Sequence, residues 1–148
     1  MKDRLNPPEP HNPPDQRVRM DEMERWHEDM MKRFGFYSHF TLDGTHANIH
    51  THGIAESFGH PDFQIALNIP QNVAMSIFHG MVKEIKEGKK YTTNVDYSEI
   101  ANLPVRFINA TECGRPVLRL IIPDRAGTLD KDTMDPVFAR QYENLNSD

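Results

Sequence analysis

The stretch from Phe36 to Ile54 constrains this chain most, because its residues alternate in character and a period of two belongs to extended strand. Phe36 to Leu42 alternates, Asp43-Gly44 fits a two-residue type I′ turn, and Thr45 to Ile54 resumes the pattern. A turn that tight pairs Leu42 with Thr45. Phe36, Phe40 and Leu42 then share one face with Ala47 and Ile49. The other face carries Tyr37, His39, Thr41, His46, Asn48, His50 and His52. Such a hairpin buries one side and presents histidine on the other.

Elsewhere the apolar period lengthens. Met23, Trp26, Met30 and Phe34 recur at helical steps, with Asp21 as the expected N-cap, Glu24 in capping-box position and Gly35 as the stop. A second helix is expected from Pro70 to Glu87, its stripe formed by Val73, Ala74, Ile77, Phe78, Met81, Val82 and Ile85, with Gly88 ending it. Between them residues 55–62 read as a loop and Phe63 to Ile69 as a short strand. Tyr91 to Val95 is a weak strand, Val105 to Ala110 a better one and Val117 to Ile122 the strongest. The last two are joined across Glu112-Cys113-Gly114-Arg115 as a hairpin. Asp135-Pro136 marks the start of a short C-terminal helix. The fold class is therefore α+β, with a mainly antiparallel sheet packed by two long helices. Residues 17–148 form one domain. Residues 1–16 hold five of the 11 prolines, which favour extended, solvated chain, and are expected to be a disordered or loosely docked arm.

Charge and composition narrow the function. The chain has 148 residues and a formal net charge of −5, so the basic footprint of a nucleic-acid binder is missing. No run approaches the ~20 apolar residues that span a bilayer, and the expected setting is cytoplasmic. The single Cys113 excludes a disulfide framework and a cysteine-rich zinc site, and it belongs to a turn. There is no Gly-x-Ser-x-Gly elbow, phosphate-binding glycine loop or dinucleotide fingerprint. The partner left by elimination is an unidentified small molecule or protein.

Histidine is the conspicuous chemistry. Five of the eight histidines, His39, His46, His50, His52 and His60, fall within 22 residues. Gly44, His50, His52 and Glu56 stand at spacings that resemble the first metal-binding motif of the cupins. Alternate strand positions put the two imidazoles on one side, and imidazole with carboxylate suits iron, manganese, zinc or nickel. Phe63 stands where that motif has glycine, and no histidine follows His79 to supply a second motif, so a complete cupin site is not expected. A divalent-metal site would use His50 and His52 with His60 or His39, and Glu56 as ligand or base. With no fourth ligand visible, a polar, partly solvated sheet face is the favoured reading of the cluster.

The order of shorter motifs points elsewhere. Thr51-His52-Gly53-Ile54 is followed by Gly59-His60-Pro61-Asp62-Phe63, then Pro104-Val105, Pro123-Asp124-Arg125-Ala126-Gly127 and Gln141. This series resembles an uncharacterised bacterial family known as domain of unknown function 4262, over roughly residues 34–142. The resemblance implies kinship of fold without an activity to carry over. Gly53, His60, Pro61, Asp62, Asp124, Gly127 and Gln141 match positions that recur in that family, whereas His50 and His52 depart from it. Glycine and proline at such positions set backbone geometry. His60, Asp62, Asp124 and Gln141 therefore form the expected ligand-binding set. The expected function is a non-catalytic binding or interaction module built on the Gly-His-Pro-Asp and Pro-Asp-x-x-Gly loops. The alternative is a small metal-dependent enzyme, hydrolase or oxygenase, using His50, His52 and His60 with Glu56.

Overall fold

The computed structural model describes residues 16–43, 46–100 and 102–143. The proline-rich arm lies outside the described residues except for Gln16, which opens the first helix. That helix, α1 (Gln16–Phe34), begins five residues before Asp21, so Asp21 lies within it instead of capping it. Gly35 (φ +82°) closes it, donating its N–H to the Met31 carbonyl at 2.9 Å. Trp26 and Met30, from the expected stripe, are buried.

Strands β1 (Tyr37–Asp43) and β2 (His46–His52) pair antiparallel. The register sets Leu42 opposite Ala47, where the sequence reading put Thr45, because the ladder continues to an Asp43–His46 pair. Gly44 and Thr45 lie outside the described residues. The offset is two residues, and a shift of two leaves every side chain on its face. Tyr37, His39 and Thr41 accordingly sit opposite His52, His50 and Asn48.

Residues expected as loop contain a short helix, α2 (Ile54–Phe58). Asp62, just beyond the helix, accepts from the Ile54 and Ala55 N–H groups at 3.1 and 3.3 Å, taking donors that a helix start leaves free. Strand β3 (Asp62–Ile65) is shorter than expected. Helix α3 (Gln71–Lys86) follows Pro70 and ends before Gly88 (φ +101°), close to the expected bounds. Val73, expected in its buried stripe, is 42% exposed. Strand β4 is only Asp96–Tyr97, displaced from the expected Tyr91–Val95, and Tyr91 is buried among aromatic rings instead. Strands β5 (Val105–Glu112) and β6 (Arg115–Ile121) form the expected hairpin about Cys113 and Gly114, both at positive φ. Helix α4 (Pro136–Ala139) is capped by Asp135, which accepts the Val137 N–H, and a 3-10 turn (Arg140–Tyr142) follows.

The six strands form one mixed sheet in the order β1-β2-β3-β6-β5-β4, antiparallel throughout except for the parallel pair β3–β6. Its two faces differ sharply. Ile49, Ile65, Leu120 and Phe107 are successive partners across β2, β3, β6 and β5, and they pack with Ala74, Phe78 and Met81 of α3 in the apolar core. One residue along, His39, His50, Gln64 and Arg119 are successive partners on the opposite face. Helix α1 lies against that face at β1, with Trp26 and His27 in ring contact with Tyr37. Among the described residues, no helix is long and apolar enough to cross a membrane.

Candidate metal centre

The polar face begins with a consequence of period two: β1 contributes His39, and β2 contributes His50 and His52. One ring nitrogen from each lies within 4.8 Å of the others. The rings meet nearly edge to face, with His50 and His52 centroids 4.9 Å apart and His39 and His52 5.2 Å apart. Burial pushes all three imidazoles below their ordinary pKa, His50 and His52 to about 4, because a charged ring loses hydration there. For His52 the nearby Arg115 guanidinium adds to the effect. Neutral imidazole is the metal-ligating form. A fourth ring, His27 of α1, stacks on Tyr37 at 4.0 Å, and its Nε2 lies 2.8 Å from His39 Nε2, so one of the two donates to the other.

Around His50 the hydrogen bonds form a chain. Its Nδ1 is 3.0 Å from Asn48 Oδ1, which also accepts from Gln64 Nε2 at 2.9 Å. Gln64 Oε1 accepts from Arg119 Nε at 2.7 Å, and Arg119 also donates to the Gln141 and Glu143 carbonyls at 2.8 and 2.6 Å. On the other side of the ring, His50 Nε2 is 3.5 Å from Glu112 Oε2, and both side chains are buried. Arg115 donates from Nε to Glu112 Oε1 at 2.8 Å, donates to the Thr51 carbonyl and lies 3.4 Å from Asp62. Burial pushes the Glu112 carboxyl up, but the hydrogen bonds of Cys113 and Arg115 outweigh it and the net shift is downward. A buried carboxylate is thus held ionised beside a neutral imidazole. A cleft of about 500 Å³ opens next to this cluster, lined by Tyr37, His52, Glu56, Asp62 and Arg115 among others.

The residues expected from sequence separate into two groups. His50 and His52 join His39, and Glu56 faces the same cleft as His52 without entering the imidazole cluster. His60 is elsewhere: its Nδ1 donates to the Pro61 carbonyl and its Nε2 accepts the Tyr91 N–H, with the ring against Phe63 and Tyr91. The other three residues of the ligand-binding set also serve the backbone. Asp62 accepts from Thr51 Oγ1 at 2.7 Å as well as from the α2 amides, and it alone of the four lines the cleft. Asp124 accepts from the amides of Ala126, Thr128 and Asp135, and these bonds, that of Asp135 foremost, draw its pKa down. Gln141 is fully buried. Its amide pairs with both the N–H and the carbonyl of Ile122 and donates to the Phe138 carbonyl, continuing the β6 ladder with a side chain.

Glu112, Arg115, Gln64 and Arg119 had no place in the sequence-level site. One signal for them was present. Arg119 interrupts the most apolar strand, between Leu118 and Leu120, and a charge on a buried strand demands partners. Comparison of the chain with known protein families, curated proteins and solved structures finds no match.

Proposed function

We propose that this chain binds a divalent transition metal through His39, His50 and His52 and uses it in a hydrolytic reaction on a small substrate entering from the cleft beside His52. The observation that supports this reading is the convergence of three neutral imidazoles within 4.8 Å at the edge of that cleft. Three protein ligands leave coordination positions for water, which distinguishes a catalytic centre from a closed structural one. A metal there would lower the pKa of its bound water toward neutrality and polarise a substrate carbonyl or phosphoryl oxygen. Glu56 and Tyr37, which line the cleft, are the groups within it that would meet the substrate.

Elemental analysis of untagged protein, purified without chelators or a nickel column, tests the reading. Near-stoichiometric zinc, iron, manganese or nickel is expected, falling by at least tenfold in His50→Ala/His52→Ala, together with metal-dependent cleavage of ester or phosphoester test substrates. A well-folded protein that holds no metal and takes none up on addition would overturn it.

A further inference from the structure

Helix α3 carries a glycine that its own structure does not call for. Gly80 lies in the helix interior, where glycine is disfavoured because it loses backbone entropy and packs nothing. It is not at positive φ, and a Cβ there would meet no atom within 4 Å among the described residues. Its missing side chain instead leaves open space in a cleft of about 700 Å³, the size range of small-molecule sites. Val73, Ile77 and Glu84 share the helix face of Gly80 at three- and four-residue steps, and Tyr91 and Ile100 complete the lining. Because α3 packs on the apolar face of the sheet, the cleft lies across the sheet from the imidazoles. It shares no residue with them or with the cleft beside His52.

A buried polar group opens into this cleft. Tyr91 is 2% exposed, and its ring is enclosed by Phe63, Tyr97 and Phe107. His60 takes its N–H, whereas its hydroxyl meets no hydrogen-bond partner among the described residues. Within those residues the one fully enclosed side-chain polar atom without a partner is Trp26 Nε1, so the Tyr91 hydroxyl is reached from the cleft that it lines. A tyrosine buried this far ordinarily has a hydrogen-bond partner. Burial pushes the phenol up to about 12, with Glu84, Glu99 and Tyr97 adding to the effect, so the hydroxyl stays protonated. Glu84 and Glu99 both line the cleft. Glu99 is tied to Lys89 at 3.2 Å, whereas Glu84 has no ion pair among the described residues. Lys83 also lines the cleft, but it is not among the charges that act on the hydroxyl.

We propose that this cleft binds a small apolar amine: its body lies along Val73, Ile77 and Ile100 over Gly80, and its ammonium donates to Glu84 and to the Tyr91 hydroxyl. Charge selects this occupant. A carboxylate in the same place would face Glu84 and Glu99, and an alcohol would leave Glu84 without a counter-charge.

The test is titration of the full ¹⁵N-labelled chain with hexylamine, hexanol and hexanoate, followed by its amide shifts. Hexylamine is expected to shift the amides of residues 73–84 and Tyr91 saturably, with affinity at least tenfold above the alcohol and the carboxylate. Glu84→Gln should bring the amine down to the level of hexanol, and Tyr91→Phe should weaken it several-fold. Gly80→Leu fills the open space and should weaken binding at least tenfold while Tm holds or rises, because leucine is the better helix former. Hexanoate binding as tightly as hexylamine, or no saturable shift at the cleft, would overturn the proposal. So would an unchanged amine affinity in Gly80→Leu and Glu84→Gln, two variants on the exposed helix face that decide the matter if Tyr91→Phe does not fold. A capped lysine that binds as tightly as hexylamine would place the ammonium on a peptide and overturn the small-molecule assignment.

Discussion

Arg119 organises the polar face because it has nothing to accept with. Buried at 2% exposure, it meets Gln64 Oε1 and two backbone carbonyls, and the orientation of both amides in the row follows. Replacing it removes a donor from at least three acceptors at once. Arg119→Leu is expected to destabilise the fold by roughly 3 kcal/mol, since buried acceptors left without a donor cost ~1–3 kcal/mol each and the losses are not additive. Equilibrium urea unfolding measures it, and a loss below ~1 kcal/mol would mean that water takes over the guanidinium's bonds. The same residue marks what was legible and what was not. Period two sufficed to put His39, His50 and His52 on one face, because those positions belong to neighbouring strands of a hairpin. Glu112 comes from β5, more than fifty residues away in the chain, and no local pattern connects it to His50. His60 misled for a related reason: its sequence neighbourhood to His52 suggested a shared site, but the intervening α2 turns the chain so that its ring nitrogens meet Pro61 and Tyr91.

Among the elements, those set by their own residues were read closely. Helix α3 lies within a residue of its expected bounds, and the β5–β6 hairpin turns at the expected place. Elements that depend on a partner beyond their own residues were missed, α2 most plainly. Two glycines separate these kinds of cause. Gly114 (φ +78°) has open space where a Cβ would go, so Gly114→Ala is expected to cost only the backbone penalty, ~1–2 kcal/mol. Gly53 (φ +102°) would place a Cβ 2.5 Å from Met31 Sδ and 2.9 Å from the Gly35 carbonyl oxygen. The thioether can move, but the carbonyl belongs to the turn that ends α1. Gly53→Ala therefore adds overpacking to the same backbone penalty, together roughly 3 kcal/mol or more. Paired thermal melts are the measurement, and equal losses would show that the α1–α2 junction yields freely.

For the whole molecule, two histidines outside the imidazole cluster tie stability to pH. His60 is lowered from its ordinary 6.5 by burial, with Lys90 adding to the effect while Pro61 and Asp62 oppose it. His79 is lowered by burial and by Lys86. His79 packs against Phe34 and Phe36, and His60 must keep Nε2 bare to accept the Tyr91 N–H. The unfolded chain takes up these protons first, so their contribution is complete above pH 6.5 and declines as pH falls below it. Thermal melts of metal-free protein should show Tm falling from pH 7 toward pH 5. His60→Gln, whose amide oxygen still accepts from Tyr91, should flatten that slope. An unchanged slope would place the pH sensitivity elsewhere.

The sequence by itself determined the α+β class, the two helical stripes, the hairpins and the histidine face of the first hairpin. Each is a periodicity or turn chemistry that neighbouring residues enforce without help from the rest of the chain. Only the tertiary structure decided that β3 and β6 lie side by side in parallel, joining the hairpin to the far half of the chain. That pairing carries Arg119 to Gln64 and sets Glu112 and Arg115, at the β5–β6 turn, beside His50 and Asp62. The fold also engages His60 with the Tyr91 N–H, Asp124 with the Asp135 N–H and Gln141 with the Ile122 N–H. Buried polar groups must find partners wherever the fold supplies them, and those partners are set by strand order, which no short stretch of sequence encodes.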